Sequence, residues 1–251
     1  MSEPKSIGMS QAQLAELKSR LPAFVSYPRT GSQWLNAVME LYFDRPCLRD
    51  RRATFLDRAR SDWFWFHDHD PDLMLEHPNV LYIYRDPVDT IYSYLEYRFK
   101  GSRRKSWVGR LFQMRERAIT PAKVDELANE YRRHLEKWLL PPRAARTAVR
   151  YESLVRSSME EFSKICKYFG QPLDEKRARL AFERANKESL IEVAVKKVAL
   201  RPTLVTNLYA QIRREFREMY GERICHSVVT LPLRPFFADA GPPGRPDALV
   251  G

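Results

Sequence analysis

The sequence has few of the features that would place it in a membrane, an oxidising compartment or around a metal ion. It carries only three cysteines, Cys47, Cys166 and Cys225, which are far apart and form neither a C-x-x-C spacing nor a Cys/His ligand pattern. They are therefore predicted to be reduced thiols. No window approaches about 18 uninterrupted apolar residues and no apolar signal region is present, so the expectation is a soluble cytoplasmic protein without a transmembrane segment.

A phosphate-binding loop of the Walker A type is also missing. That motif requires G-x-x-x-x-G-K-[ST], whereas the turn after the first apolar strand contains only Gly31 and lacks the lysine. This departure argues against an ATP-using P-loop kinase, which stays open as an alternative.

The size and element pattern of the chain favour one α/β domain. With 251 residues, 44% of them hydrophobic, it is long enough for one sizeable domain, predicted over residues 1–230. Strands alternate with helices, which predicts a three-layer fold with a central parallel sheet flanked by helices. The last stretch, residues 231–251, is rich in Pro and Gly and predicts an extended or disordered tail.

The charge of the chain is strongly positive. A net charge of +11 and a pI near 9.7 favour anionic ligands, but a nucleic acid, a membrane surface or an acidic carrier would be attracted too. The segment Lys100–Arg117 interleaves basic and aromatic residues, which fits a lid, a patch for an acidic partner or a solvated loop. A basic anion-binding module without enzymatic activity is thus the second alternative.

The segment from Phe24 to Leu35 is the most informative part of the chain. An apolar strand, Ala23 to Tyr27, breaks at Pro28 and passes Gly31 before a helix that runs to about Phe43. The first NH groups of such a helix have no intrahelical partners, and the helix dipole adds partial positive charge at the same place. With Arg29 beside it, this turn is predicted to bind a phosphate group.

A second motif follows the apolar strand Val80–Tyr84. Arg85 comes directly after that strand and just before a helix over residues 88–99, which places its charge at the edge where open α/β sheets bind ligands. Ser93 lies about two helical turns further on, where its hydroxyl could contact the same anion.

These two motifs resemble the nucleotide-binding signatures of the sulfotransferase family, which uses 3′-phosphoadenosine 5′-phosphosulfate (PAPS). A third segment, Thr147–Leu154, is similar to the family's strand ending in Tyr-Glu-x-Leu. The resemblance implies a P-loop-like nucleotide-binding core, sulfuryl transfer to a hydroxyl or amine of a small-molecule acceptor, and release of adenosine 3′,5′-bisphosphate, with no nucleic acid partner. It implies that the donor is bound by Arg29, Thr30, Gly31, Ser32, Gln33, Trp34, Arg85, Ser93 and Tyr151.

The general base is expected within the segment that occupies the place of the family's catalytic strand. His67 is the first candidate, because an imidazole can accept a proton near neutral pH and because it directly follows an apolar strand over residues 63–66. His69 is the rival, since His69-Asp70-Pro71 fits a His-x-Pro pattern of the family. A structural role or a metal site for the pair are weaker alternatives, and Asp68 is a candidate to orient the imidazole.

The chain also departs from the family pattern. The usual lysine of the first loop is Arg29, whose guanidinium stays protonated, so it is predicted to clamp the phosphosulfate without donating a proton. The family's late Arg-Lys-Gly segment has no clear counterpart, and Lys196, Lys197 and Arg201 are the nearest candidates. No metal is expected. Candidates for the aromatic walls of the adenine and acceptor sites are Trp34, Trp63, Trp65, Tyr94 and Tyr97, of which only Trp34 is placed by a motif.

Overall fold

The computed structural model describes residues 10–48, 56, 60–99, 119–140, 146–156, 158–185 and 202–238, with Phe99 and residues 202–209 described by their backbone only. The chain divides into two compact units, one of residues 1–85 and 142–209 and one of residues 86–141 and 210–251. The basic segment Lys100–Arg117 and the candidates Lys196, Lys197 and Arg201 lie outside the described residues.

The first unit contains a five-stranded parallel sheet in the order β2-β3-β1-β4-β5. Its strands are β1 Ala23–Ser26, β2 Cys47–Leu48, β3 Trp65–Asp68, β4 Val80–Tyr84 and β5 Arg146–Arg150. All residues of β1 and β4 are buried, as expected for inner strands of a parallel sheet covered on both faces. The predicted α/β class is confirmed, although β3 begins two residues later than predicted.

The helices are α1 Gln11–Arg20, α2 Ser32–Phe43, α3 Pro87–Phe99, α4 Pro121–Leu139, α5 Tyr151–Val155, α6 Met159–Tyr168, α7 Glu175–Arg184, α8 Pro202–Val228 and α9 Arg234–Phe237, with a 3-10 turn at Leu231–Leu233. In the first unit, α1 and α2 lie on opposite faces of the sheet. Lys18 of α1 bonds Asp68, whereas Asn36 of α2 accepts a hydrogen bond from Trp65, and side chains 65 and 68 of one strand point to opposite faces.

The core of the first unit lies between the sheet and the helices α2, α6 and α7. Fully buried Leu35, Trp65 and Ile83 are part of one continuous cluster, and Phe162 and Phe182 contribute the face formed by α6 and α7. Asn36 is a buried polar residue beside this cluster, and its side-chain oxygen receives the Trp65 indole NH at 2.8 Å. This packing holds the amino-terminal end of α2 in a fixed position at the end of β1.

In the second unit, ion pairs connect α8 to the start of α3. The Arg217 guanidinium donates to Asp86 and to Asp89 at 2.9 Å each, and Arg213 also bonds Asp89. Asp86 in turn accepts from the backbone NH of Asp89 at 2.9 Å, in the first turn of the helix. The residue that follows Arg85 in the second motif is therefore held by an arginine 131 positions away.

Two predictions about the carboxyl-terminal part of the chain are wrong. The sequence predicts a helix over residues 206–219 that is closed by Gly221, because glycine is common just after a helix end. In the structure, α8 continues through Gly221 to Val228. Gly221 is buried, and a Cβ at this position would lie only 3.4 Å from the Arg217 side chain. The predicted extended tail also begins too early, because residues 231–237 form helical turns that bury Leu233 and Phe237.

Candidate active site

Three of the predicted motifs follow neighbouring parallel strands at the point where each strand ends. The first loop follows β1, Arg85 follows β4 and Tyr151 follows β5. Because the carboxyl ends of parallel strands meet at one edge of a sheet, these segments are placed together, at the edge where open α/β folds bind ligands.

The first loop has the backbone of an anion cradle. Arg29 has a φ of 74°, and Gly31, the residue before α2, has a φ of 95° and cannot cap the helix with a side chain. Thr30 is buried and donates its hydroxyl to the carbonyl oxygen of Tyr27 at 2.8 Å, which closes the turn. The amino-terminal NH groups of α2, from Ser32 and the exposed Gln33 onward, therefore begin at the loop without a side-chain cap.

Tyr151 packs directly on this loop. A Cβ at residue 31 would lie 2.3 Å from two ring carbons of Tyr151, so only glycine permits this contact. Trp34 meets the same ring edge-on, with 5.8 Å between centroids, and packs on Phe182 at 5.7 Å. Tyr151 and Trp34 therefore lie together at the first loop, and their contact with the donor stays a prediction.

Arg85 joins the two motifs of the first unit. Its Nη1 donates to the carbonyl oxygen of Arg29 at 3.2 Å, and its guanidinium carbon lies 4.6 Å from the centroid of the Tyr151 ring. Both contacts orient the guanidinium. The arrangement places the guanidinium of Arg85 beside the first loop.

The two candidate histidines converge on a residue that the sequence did not single out. The hydroxyl of Ser26, the last residue of β1, lies 2.9 Å from His67 Nε2 and 3.1 Å from His69 Nδ1. The two imidazoles meet edge-to-face, with 4.7 Å between their centroids, and Phe24 packs on His67 at 5.1 Å. A lone serine in an apolar strand gives no local signal, and only the register of β1 with β3 brings it to the pair.

The prediction that Asp68 orients an imidazole is wrong. Its two carboxylate oxygens accept from the Lys18 ammonium at 3.1 Å and from the backbone NH of Asp70 at 2.9 Å, on the sheet face opposite His67. Burial works to raise the pKa of Asp68, but the Asp70 NH and the Lys18 charge outweigh it and hold the pKa below its ordinary value. Asp68 therefore anchors α1 to β3.

The remaining candidates fall into three groups. Trp65 is fully buried in the core, so its prediction as a wall of the site is wrong, while Trp63 is half-buried. Tyr94 and Tyr97 lie on α3 in the second unit, where Tyr94 accepts from Arg98. Ser93 is also on α3 and is half-buried; its contact with a 3′-phosphate stays a prediction.

Two searches bear on the alternatives for the site. Among the residues that the structure describes, no group of three or more His, Cys, Asp or Glu side chains could hold a metal ion. Within the same part of the chain, no helix is long and apolar enough to cross a membrane.

Comparisons with known proteins agree on one family. Residues 64–217 match the family model described as the sulfotransferase domain. The fold resembles that of mouse sulfotransferase SULT7A1, solved in complex with PAP, with a TM-score of 0.54 and 13% identity over 92% of this chain and 94% of that one. A retinol dehydratase solved with androsterone and inactive cofactor PAP aligns with a TM-score of 0.39 and 16% identity, over 68% of this chain and 66% of that one. A search of curated proteins finds no match.

The family match covers β3, Arg85 and Tyr151. The loop at residues 28–34 lies before the matched segment, and the contacts of Gly31 and Arg85 connect the loop to it. On the matched segment and the sheet topology, the chain belongs to the sulfotransferase family, and sulfuryl transfer from PAPS is the activity that this membership assigns to it.

Proposed function

We propose that the protein transfers a sulfuryl group from PAPS to a hydroxyl or amine of a small-molecule acceptor, using the site at the carboxyl ends of β1, β3, β4 and β5. The observation that carries the proposal is the cluster of Arg85 and Tyr151 on the first loop. Arg85 bonds the backbone of Arg29, and Tyr151 packs on Gly31. One cationic side chain and one helix amino terminus are thus held together, which supports binding of a nucleotide that carries two anionic groups.

Each residue of the cluster has a distinct part in donor binding. The NH groups of Ser32 and Gln33 at the start of α2 and the guanidinium of Arg29 would hold the 5′-phosphosulfate, because they offer donors and positive charge at one point. Arg85 would bind the 3′-phosphate. Trp34 would contact the adenine, since its half-buried ring is fixed by Tyr151 on one side.

The reaction requires no covalent bond between the protein and the transferred group. PAPS supplies an activated sulfuryl group, whose transfer forms a bond from sulfur to the acceptor atom and breaks the bond to the 5′-phosphate oxygen. Positioning and electrostatic stabilisation are expected to dominate, by analogy with phosphoryl transfer. Arg29 opposes the charge that develops on the departing phosphate, and an imidazole of the His67/His69 pair takes the proton of the acceptor.

A thermal-shift series on the full chain tests donor binding. Adenosine 3′,5′-bisphosphate is expected to raise the melting temperature more than 5′-AMP at equal concentration, because only the former carries the phosphate that Arg85 would bind. ATP and a short oligonucleotide serve as controls for the kinase-like and basic-module alternatives. Equal shifts with adenosine 3′,5′-bisphosphate and 5′-AMP would contradict the assignment of Arg85. Transfer that stops in EDTA and resumes with a divalent ion would contradict a metal-free mechanism.

A further inference from the structure

One aromatic ring contacts both of the segments to which donor binding is assigned. The strand register pairs Tyr84 with Arg150, so Arg85 and Tyr151 follow the neighbouring strands β4 and β5 at the same level. The strand β1, which leads into the first loop, lies on the other side of β4. The ring of Tyr151 nevertheless reaches Gly31 of that loop, across the end of β4.

This contact between Tyr151 and the first loop spans two strand spacings. Neighbouring strands lie about 4.8 Å apart, so the ends of β1 and β5, with β4 between them, are roughly 10 Å apart. The long side chain of Tyr151 crosses this distance, and Gly31 admits it, because a Cβ there would lie 2.3 Å from two ring carbons. Trp34 meets the same ring edge-on, with 5.8 Å between centroids, and further restrains it.

The face of the same ring orients Arg85. The guanidinium carbon lies over the ring, 4.6 Å from its centroid, and a guanidinium within about 6 Å of an aromatic centroid is attracted by the π electrons. The Nη1 of Arg85 donates to the carbonyl oxygen of Arg29 at 3.2 Å. The guanidinium is therefore in contact with the ring of Tyr151 and with the backbone of the first loop at the same time.

The carbonyl contact falls on an unusual backbone conformation of the loop. Arg29 has a φ of 74°, in the left-handed region that residues with a side chain seldom adopt. The hydrogen bond from Arg85 to the carbonyl of Arg29 stabilises the loop in this conformation. Tyr151 thus orients Arg85, and Arg85 in turn stabilises the loop that begins at Arg29.

On this geometry, and resting on the donor binding proposed above, we propose that Tyr151 is a positioning residue that sets the spacing between the two anion-binding groups of the site. Its ring keeps the guanidinium of Arg85 in contact with the first loop, and so fixes the separation of the 3′-phosphate and the 5′-phosphosulfate that the site accepts. The π face carries this role, and the phenol hydroxyl does not. The ligand class selected in this way is a nucleotide with anionic groups at both positions.

A matched set of substitutions separates the ring from the hydroxyl. Tyr151→Phe keeps the π face and should bind adenosine 3′,5′-bisphosphate within about twofold of the parent, measured by calorimetry on the full chain. Tyr151→Leu and Tyr151→Met keep an apolar side chain without a π face, and their affinity should fall about tenfold, the equivalent of one partly desolvated cation–π contact. Their affinity for 5′-AMP should fall less. A loss in Tyr151→Phe as large as in Tyr151→Leu would overturn the proposal.

A double-mutant cycle tests whether the ring acts through Arg85. In the Arg85→Ala background the ring has no guanidinium to orient, so Tyr151→Leu should change the preference for adenosine 3′,5′-bisphosphate over 5′-AMP by less than about twofold. Melting temperatures of the four proteins identify any loss of folding, which would weaken binding of both nucleotides without changing the preference between them. An equal change of preference with and without Arg85 would overturn the proposal.

The parent chain separates a failure of this proposal from a failure of the proposed function. If the parent binds adenosine 3′,5′-bisphosphate no more tightly than 5′-AMP, the assignment of the donor site fails and the role of Tyr151 fails with it. If the parent prefers the bisphosphate and both Tyr151→Leu and Tyr151→Met keep the full preference, the donor site stands and the positioning role of Tyr151 is overturned.

Discussion

Two arginines of this protein illustrate opposite uses of the same side chain. Arg85, in the first unit, is oriented by a backbone carbonyl and by the face of Tyr151, which are both neutral. Arg217, in the second unit, is held by the carboxylates of Asp86 and Asp89. The carbonyl and the ring orient the guanidinium of Arg85, whereas the two carboxylates neutralise the charge of Arg217 within the fold. Under the proposed function, Arg85 is expected to serve anion binding and Arg217 to serve stability.

The largest effect is expected at the loop that Arg85 contacts. Arg29→Ala should lower kcat at saturating PAPS by roughly 100- to 1,000-fold, the range for loss of one group that stabilises transition-state charge. Arg29→Lys is the matched control and should keep much of the activity, because it preserves the positive charge. Unchanged turnover in Arg29→Ala would mean that the loop only connects β1 to α2.

Arg85→Ala tests whether Arg85 contributes to nucleotide binding. Losing a charge-assisted contact should cost about 1.5 to 3 kcal/mol of affinity for adenosine 3′,5′-bisphosphate, measured by calorimetry, with a smaller effect on 5′-AMP. Arg85→Lys should be intermediate, since an ammonium keeps the charge but loses the planar contact with Tyr151. Equal losses for the two nucleotides would show that Arg85 does not distinguish the 3′-phosphate.

Arg217→Ala tests whether the ion pairs of Arg217 stabilise the fold. We expect a loss of about 1 kcal/mol in the free energy of unfolding, which is smaller in high salt, because a half-exposed ion pair is screened. Arg214→Ala, on an exposed position of the same helix, is the matched control and should change stability less. If Arg217→Ala weakens nucleotide binding as much as Arg85→Ala does, the distinction between a binding and a stabilising arginine is contradicted.

The smallest effect on the free energy of unfolding is expected from substitution of Asp68, whose carboxylate anchors α1. Because its pKa is lowered in the fold, the charged form stabilises the protein above the ordinary carboxyl pKa of about 4, and this contribution is lost as pH falls through the lowered value. Asp68→Asn should therefore cost about 0.5 kcal/mol near pH 7, and the difference from the parent should shrink near pH 3. Denaturant unfolding at both pH values measures it, and a difference that grows on acidification would reverse the assigned sign.

The strands and the donor-binding motifs could be predicted from the sequence because their signals are local. The apolar runs of β1 and β4 end at Pro28 and Arg85, and the bounds of β4 agree with the prediction. The helix does not end at Gly221, because this glycine is buried within α8, where tertiary packing outweighs its low helix propensity. The turns at residues 231–237 were missed because two buried apolar side chains outweigh the prolines there.

The proton-handling part of the site could be predicted only in part. The pair His67 and His69 was found from its position after an apolar strand, but the choice between the two residues stayed open. The structure adds Ser26, which contacts both imidazoles, is 41 residues before the first and 43 before the second, and meets them through parallel pairing of β1 with β3. A contact that depends on strand register leaves no trace in the sequence around either partner.

The segment from Ser26 to Arg29 connects two parts of the candidate site by a short stretch of backbone. Ser26 contacts the two histidines, and Arg29 begins the first loop, with only Tyr27 and Pro28 between them. The proline has a fixed φ, which limits how far the two ends of this stretch can move apart. If the proposed function holds, inserting or deleting one residue between Ser26 and Arg29 is expected to shift the first loop relative to the histidines, so this stretch should tolerate a change of length poorly.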